Sequence, residues 1–261
     1  MSTLRDFHMH TMYCDGTASA EDMILSAVSM GLDCVGIVTH SFTWFDTSYC
    51  ISRGKVPLFQ REMNELREKY RDVIRVYCGV EQDYWSEEDT SGFDYVIGSV
   101  HYLRTDRGYF PVDENADMLS AMIDDEFAGD AYAMCGKYYE TVSDVYRKTG
   151  CDIIGHFDLV TKFKRSCQLF SEDDPRYTAA AYEAVKKLAP TGALFEINTG
   201  AMSRGYRDDP YPSGKILESI SLLGGKTILS SDAHRPEDIA FGFAGLMDAA
   251  TGKFEPVPGR R

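Results

Sequence analysis

The sequence predicts a closed parallel α/β barrel with a single mouth, and two observations carry that prediction. Seven short, largely apolar runs alternate with longer segments of helical pattern, as strands buried on both faces should. All six histidines (His8, His10, His40, His101, His156 and His234) stand at or just past the C-terminal end of an apolar run. In a barrel those ends converge on one mouth. Along the edge of an open doubly wound sheet they could not all meet.

In chain order the expected strands are Leu4–His10, Asp33–His40, Val73–Glu81, Phe93–His101, Cys151–His156, Ala193–Asn198 and Lys226–Asp232. Between them lie helices with start and stop signals. Ser19-Ala-Glu-Asp22 resembles a capping box with Asp in place of Glu. Met23, Ala27 and Met30 then give an apolar stripe that Gly31 ends. Leu58–Tyr70 is charged and amphipathic, and Asp130–Lys148 is a long helix stopped by Gly150. Asp173–Leu188 ends near Pro190 and Gly192, Pro212–Leu223 ends at Gly224-Gly225, and Pro236–Ala249 is the last helix. No repeat, low-complexity tract or Pro/Gly-rich linker divides the chain, so residues 1–261 are expected to form one domain.

Composition narrows the function classes. With 44% hydrophobic residues and no run of roughly 18 apolar positions, the chain reads as globular rather than disordered or membrane-spanning. Its 41 acids against 27 bases give a net charge of −14, which repels phosphate backbones and anionic membranes. Neither nucleic acid nor a membrane is therefore an expected partner. The seven cysteines are odd in number and widely spaced, without a CxxC, so neither a disulfide framework nor a zinc ribbon is expected. Met1-Ser-Thr-Leu-Arg-Asp has no basic or apolar leader character, and a cytoplasmic location is expected.

Carboxylates join the histidines at the strand ends. Asp15 follows His10, Glu81 ends its run, and Asp232 stands two residues before His234. Imidazole and carboxylate together suit zinc, manganese or iron. Residues two apart on a strand share a face, so His8 and His10, and Asp232 and His234, can each converge on one ion. Two or three close divalent ions support hydrolysis: they activate a water, clamp the attacked group and stabilise the leaving oxygen.

The ordered set of motifs is specific. It comprises the HxH start, Cys14-Asp-Gly, Thr39-His, Gly79-Val-Glu, Gly98-Ser-Val-His, Gly155-His-Phe-Asp, Glu196-Ile-Asn and Ser231-Asp-Ala-His. From Asp6 to about Ala244 the chain resembles the polymerase-and-histidinol-phosphatase (PHP) superfamily, and within it the monofunctional histidinol-phosphate phosphatases. The resemblance implies a distorted barrel of seven strands and seven helices. It also implies a trinuclear metal centre: His8, His10, Glu81 and Asp232 at one ion; Glu81, His101 and His156 at a second, with Glu81 bridging; Asp15, His40 and His234 at a third. Arg204 and Lys162 are the implied phosphate contacts, with Lys164 and Arg165 near enough to compete with Lys162. Asn198 shares a strand face with Glu196 and is a candidate to orient substrate or a ligand, while Glu196 is read as a buried partner. The long segment Ser41–Leu58, with Trp44, Phe45, Tyr49 and Ile51, reads equally as a substrate-contacting rim or a loop with its own small core.

The implied activity is hydrolysis of a small-molecule phosphate ester, L-histidinol phosphate, to L-histidinol and phosphate in histidine biosynthesis. Asp232 or His234 would protonate the leaving group, and Glu81 and His101 would serve the attacking water. No DxDx[TV] nucleophile motif is present, so no phosphoenzyme is expected. Two alternatives stay open: a sibling phosphoesterase acting on another phosphomonoester or a nucleotide, and a non-catalytic metal-binding module.

Overall fold

The computed structural model describes residues 4–259. The chain runs β1 (Arg5–Met9), α1 (Ala20–Ser29), β2 (Cys34–Ile37), α2 (Val56–Tyr70), β3 (Arg75–Asp83) and β4 (Tyr95–Ser99). It continues through β5 (Tyr102–Thr105), β6 (Gly108–Pro111), α3 (Ala116–Phe127), α4 (Ala131–Val142), α5 (Val145–Thr149) and β7 (Ile153–Ile154). It ends with α6 (Pro175–Leu188), β8 (Leu194–Asn198), α7 (Gly200–Ser203), α8 (Gly214–Leu222), β9 (Thr227–Ser230) and three short 3-10 turns.

Seven strands pair in parallel in the order β1-β2-β3-β4-β7-β8-β9. The residues just past β9 bring the two edges together: His10 N donates to Ala233 O at 2.8 Å, and Ala233 N donates to His8 O at 3.1 Å. The result is a nearly closed barrel, as the alternation and the histidine positions predict. Helices cover its outside. Met9, Val35, Ile37, Val76, Val80 and Val96 face Met23, Phe59, Met63, Tyr139 and Val185 in one continuous apolar layer.

The barrel interior divides along its axis. Its N-terminal half is filled by Phe7, Cys34, Val38, Tyr77, Tyr95, Ile97, Ile153, Leu194 and Ile228. Tyr95 lies at the centre and donates to Phe7 O at 2.5 Å. Two glycines make room for it: a Cβ at Gly36 or Gly79 would come within 2.0 or 2.3 Å of the Tyr95 side chain. Phe254 closes this end from outside, edge-on to Phe7 and Tyr95 with ring centroids 5.0 and 5.6 Å away.

β1 carries a local irregularity that matters for the site. Asp6 pairs with Val35 but Met9 pairs with Ile37, so three steps on β1 match two on β2. Such a bulge breaks strict alternation. Phe7 therefore joins the interior plug, His8 also turns inward, and Met9 faces the helices. Asp6 holds the bulge by accepting from His8 N at 3.3 Å, Ser231 N at 3.1 Å and Ala240 N at 3.1 Å.

Several elements differ from expectation. The hairpin β5–β6 and helix α3 stand where none was expected. Helix α3 is capped by Asn115, which accepts from Met118 N, and it buries Leu119, Met122 and Ile123. The segment Asp130–Lys148 is two helices rather than one, broken at Ser143–Asp144. In place of a last helix over Pro236–Ala249 stand three 3-10 turns. Ala240 and Gly242 there take positive φ (53° and 71°), because the backbone bends to bring Ala240 N to Asp6. Met30 is exposed, so the apolar stripe of α1 is Met23, Ile24 and Ala27. Among the described residues no helix is long and apolar enough to cross a membrane. All seven cysteines are free thiols.

Candidate metal centre

The C-terminal half of the barrel interior is polar. Alternation along β3 puts Glu81 inward beyond Tyr77 and Gly79, and Glu81 is buried. Five imidazoles surround it. Oε2 lies 3.1 Å from His8 Nε2, 3.3 Å from His10 Nε2 and 3.0 Å from His40 Nδ1. Oε1 lies 2.9 Å from His156 Nε2 and 3.3 Å from His101 Nε2. Asp232, at φ +51° just past β9, puts Oδ1 3.5 Å from His10 and 3.7 Å from His8. Asp15, on the loop after β1, lies 3.2 Å from His234 Nε2 and 3.5 Å from His40 Nε2.

All nine residues named from the sequence thus converge on one centre. Three overlapping groups have donor atoms close enough to share an ion: His10, Asp15, His40 and His234; His8, His10 and Asp232; His40, Glu81 and His101. The donor chemistry fits divalent cations. His8 and His10 point Nε2 atoms at each other across 3.0 Å, an approach that a shared cation satisfies better than a second imidazole.

The local electrostatics agree. Burial opposes charge on Glu81, yet His8, His40 and His101 hold its carboxyl well below the usual range. Burial likewise opposes charge on Asp232, which Arg204 and His8 keep well below its ordinary value. For His10, burial and the neighbouring His40 and His234 lower the pKa to about 3. A neutral imidazole is the metal-binding form. His8 behaves oppositely: burial pushes it down, but Glu196, Glu81 and Asp232 together raise it well above 6.5.

Two carboxylates stand behind the ligands: Glu196, which the sequence reading takes as a buried partner, and Asp83, which it does not single out. Glu196 is fully buried; it accepts from His8 Nδ1 at 2.6 Å, from the His156 backbone N–H at 2.8 Å and from Asn198 Nδ2 at 2.9 Å. Asp83 accepts from the His101 backbone at 3.1 Å and from its Nδ1 at 3.2 Å. Carboxylates in this position fix the tautomer and ring orientation of a ligating histidine. Asn198 is sealed from solvent and absent from the cavity wall. Its amide donates to Glu196 and, at 3.3 Å, to Asp232 Oδ2.

Above the centre opens a cavity of about 570 Å³, lined by Asp15, His40, Tyr49, Asp113, Lys162 and Arg204 among others. Arg204 donates to Asp232 O at 3.0 Å and to Asp232 Oδ2 at 3.2 Å. Lys162 donates to Asp113 O at 2.7 Å and sits 5.3 Å above the Tyr206 ring. Lys164 and Arg165 face away, paired with Glu172, Asp209 and Asp208, so Lys162 is the basic residue of that run at the mouth. The segment Ser41–Leu58 does both things its sequence allowed. Ser48 and Tyr49 line the cavity, while Ile51 is buried and Phe45 stacks on Tyr109 with centroids 3.9 Å apart.

Comparison with known proteins agrees with this geometry. The family model described as PHP domain matches residues 6–200, and the chain belongs to that family. The histidinol-phosphatase of Bacillus subtilis is 24% identical over 94% of this chain and 98% of its own length. A Deinococcus radiodurans protein named "Probable histidinol-phosphatase" is 27% identical over 94% of this chain and 91% of its own. In structure, the histidinol phosphate phosphatase of Lactococcus lactis, solved with zinc, L-histidinol and phosphate, superposes with a TM-score of 0.72 at 19% identity. It spans 98% of this chain and 97% of that one. The protein is thus a histidinol-phosphatase-like hydrolase of the PHP family.

Proposed function

We propose that this chain hydrolyses L-histidinol phosphate to L-histidinol and phosphate, a step of histidine biosynthesis, at a centre of two to three divalent ions. The observation that carries the reading is the convergence of nine imidazole and carboxylate donors beneath two cations, Arg204 and Lys162, in one cavity. His8, His10, Glu81 and Asp232 would hold one ion; Glu81, His101 and His156 a second; Asp15, His40 and His234 a third. Divalent zinc, manganese or iron in those positions would supply a water acidified toward neutrality and charge neutralisation for the phosphoryl group.

The chain's own residues do the rest. Glu81 and His101 hold the inner face of the site, where the attacking water must stand. Arg204, with a planar fork already aimed at the Asp232 side of the cavity, grips equatorial phosphoryl oxygens, and Lys162 adds a second positive charge opposite. The leaving oxygen needs a proton. Of the two candidates, Asp232 is buried, paired with Arg204 and held ionised, so it is a poor donor. His234 stands on the cavity wall and is the remaining candidate, but only where its Nε2 is not spent on the third ion, since a ligating nitrogen carries no proton to give. Asn198 serves by holding Asp232 rather than by touching substrate.

A relative solved with L-histidinol and phosphate supports the substrate, and the cationic end of such a substrate suits an acidic mouth containing Asp15, Asp113 and Glu114. The test is a panel of phosphate esters on protein of known metal content. We expect kcat/KM for L-histidinol phosphate at least about 100-fold above that for p-nitrophenyl phosphate, or ~2.7 kcal/mol of transition-state binding. Exhaustive chelation should abolish turnover. A flat profile or a preference for nucleotides would reject the substrate and leave the phosphoesterase. Full activity in metal-free protein would reject the metal mechanism, and a metal-loaded protein inert on every ester would point to a binding module.

A further inference from the structure

Among the described residues Arg207 is the largest fully buried side chain, and nothing in the reaction described above uses it. It lies three residues after Arg204, beneath the loop between β8 and α8. All three nitrogens of its guanidinium are hydrogen-bonded. Nε donates to Asp209 O at 3.2 Å, and Nη2 donates to Asp209 Oδ2 at 3.2 Å and to Pro210 O at 3.0 Å. Nη1 crosses to the loop after β7, donating to Asp158 Oδ2 at 3.4 Å and to Thr161 Oγ1. The Tyr211 ring stacks beneath it, 4.3 Å from the guanidinium carbon. Asp158 returns the link by accepting from Ser213 N at 3.0 Å.

The two loops so joined carry the two cations of the mouth. Asp158 follows the ligand His156 by two residues, and Thr161 immediately precedes Lys162. On the other side, Arg207 N is bonded to Ala201 O at 3.2 Å, and Arg204 N to Gly200 O at 3.2 Å, so both arginines hang from α7. Between them Tyr206 puts its ring under Lys162. One guanidinium therefore ties the loop that carries Arg204 to the loop that carries Lys162. A buried ion pair contributes little net stability compared with apolar packing, but it is demanding in geometry, and phosphate binding by two separate cations depends on their separation.

We propose that Arg207, with Asp158 and Thr161, is a positioning residue for phosphate: it sets the distance between Arg204 and Lys162. The proposal rests on the phosphate-ester reading above but concerns the anion alone. Arg207 touches neither substrate nor metal ligands; it acts through the two cations.

The experiment measures affinity for inorganic phosphate by calorimetry on metal-loaded protein, with turnover of p-nitrophenyl phosphate followed separately. Arg207→Lys keeps the charge and loses the fork. It should weaken phosphate binding about tenfold while metal content per chain is unchanged. In an Arg204→Ala background the same change should cost about threefold or less, because one of the groups being positioned is gone. Effects that multiply in full, or an unchanged affinity in folded Arg207→Lys protein, would overturn the proposal. Should Arg207→Lys fail to fold, Thr161→Val decides: about a threefold loss is expected, shrinking when combined with Lys162→Ala, and no loss overturns the idea. Wild-type protein inert on all esters would sink the hydrolase reading, while the positioning role would still stand or fall on phosphate affinity.

Discussion

The two halves of the barrel interior are built from the same strands and could hardly differ more. Toward the N-terminal ends, Phe7, Tyr77 and Tyr95 fill the lumen as a dry aromatic plug. Toward the C-terminal ends of the same strands, Glu81 stands among five imidazoles. β3 contributes to both, with Tyr77 in the plug and Glu81 and Asp83 in the centre, and β1 does the same with Phe7 and His8. The comparison teaches a division of labour common to parallel barrels, in which one end holds the fold and the other does the chemistry. It also teaches a dependence: the centre gathers many ionisable groups in one buried place, and the plug provides the stability against which that arrangement is held.

Four substitutions break or sharpen that contrast. The largest effect is expected at Glu81→Ala, which removes the carboxylate common to the whole centre. Turnover should fall at least about 10³-fold, and elemental analysis should show a loss of more than one ion per chain; loss of a single ion would mean that Glu81 does not bridge. Next comes Glu196→Gln, which keeps the shape but removes the charge behind His8. Metal affinity should drop about 10- to 100-fold with little change in the melting temperature, and unchanged affinity would make Glu196 a packing residue only.

The other two act on the plug. Gly79→Ala drives a methyl against the Tyr95 ring and should cost about 1–3 kcal/mol of stability, read by denaturant unfolding, with metal stoichiometry retained. If the metals leave before the protein unfolds, the two halves are not separable. Smallest is Phe254→Ala, at about 1–2 kcal/mol, since that ring is only half-buried. Turnover should be untouched; a drop in kcat would show that closure of the far end reaches the mouth.

Much of this architecture is legible in the sequence, and the reason is local. A strand buried on both faces must be apolar along its length, so the seven runs stand out, and the polar residue that ends each run marks the mouth. The nine donors are legible for the same reason. What escaped depends on distant partners or mixed polarity. Glu196 is visible as an inward acid, but its partner His8 lies 188 residues away. The hairpin Tyr102–Pro111 is half exposed, so it lacks the apolar signature, and α3 hides its buried face among Asp117, Asp124, Asp125 and Glu126. Helical pattern over Pro236–Ala249 misled because tertiary demand won: the backbone there bends to reach Asp6. The assignment of Lys162 over Lys164 and Arg165 needed the three-dimensional loop, since sequence proximity cannot say which of three neighbours turns inward.

The bulge in β1 makes the length of a five-residue strand as consequential as its composition. Because Phe7 and His8 are adjacent and both face the lumen, no straight strand presents both. Deleting Phe7 or His8 would restore regular alternation and leave one inward position where the bulge provides two, so that either the plug loses its aromatic ring or the centre loses its ligand. No side-chain substitution could undo this, since what has been lost is a count of residues. Variation in this short stretch is therefore constrained in two currencies at once, chemical identity and spacing, and the second is the stricter.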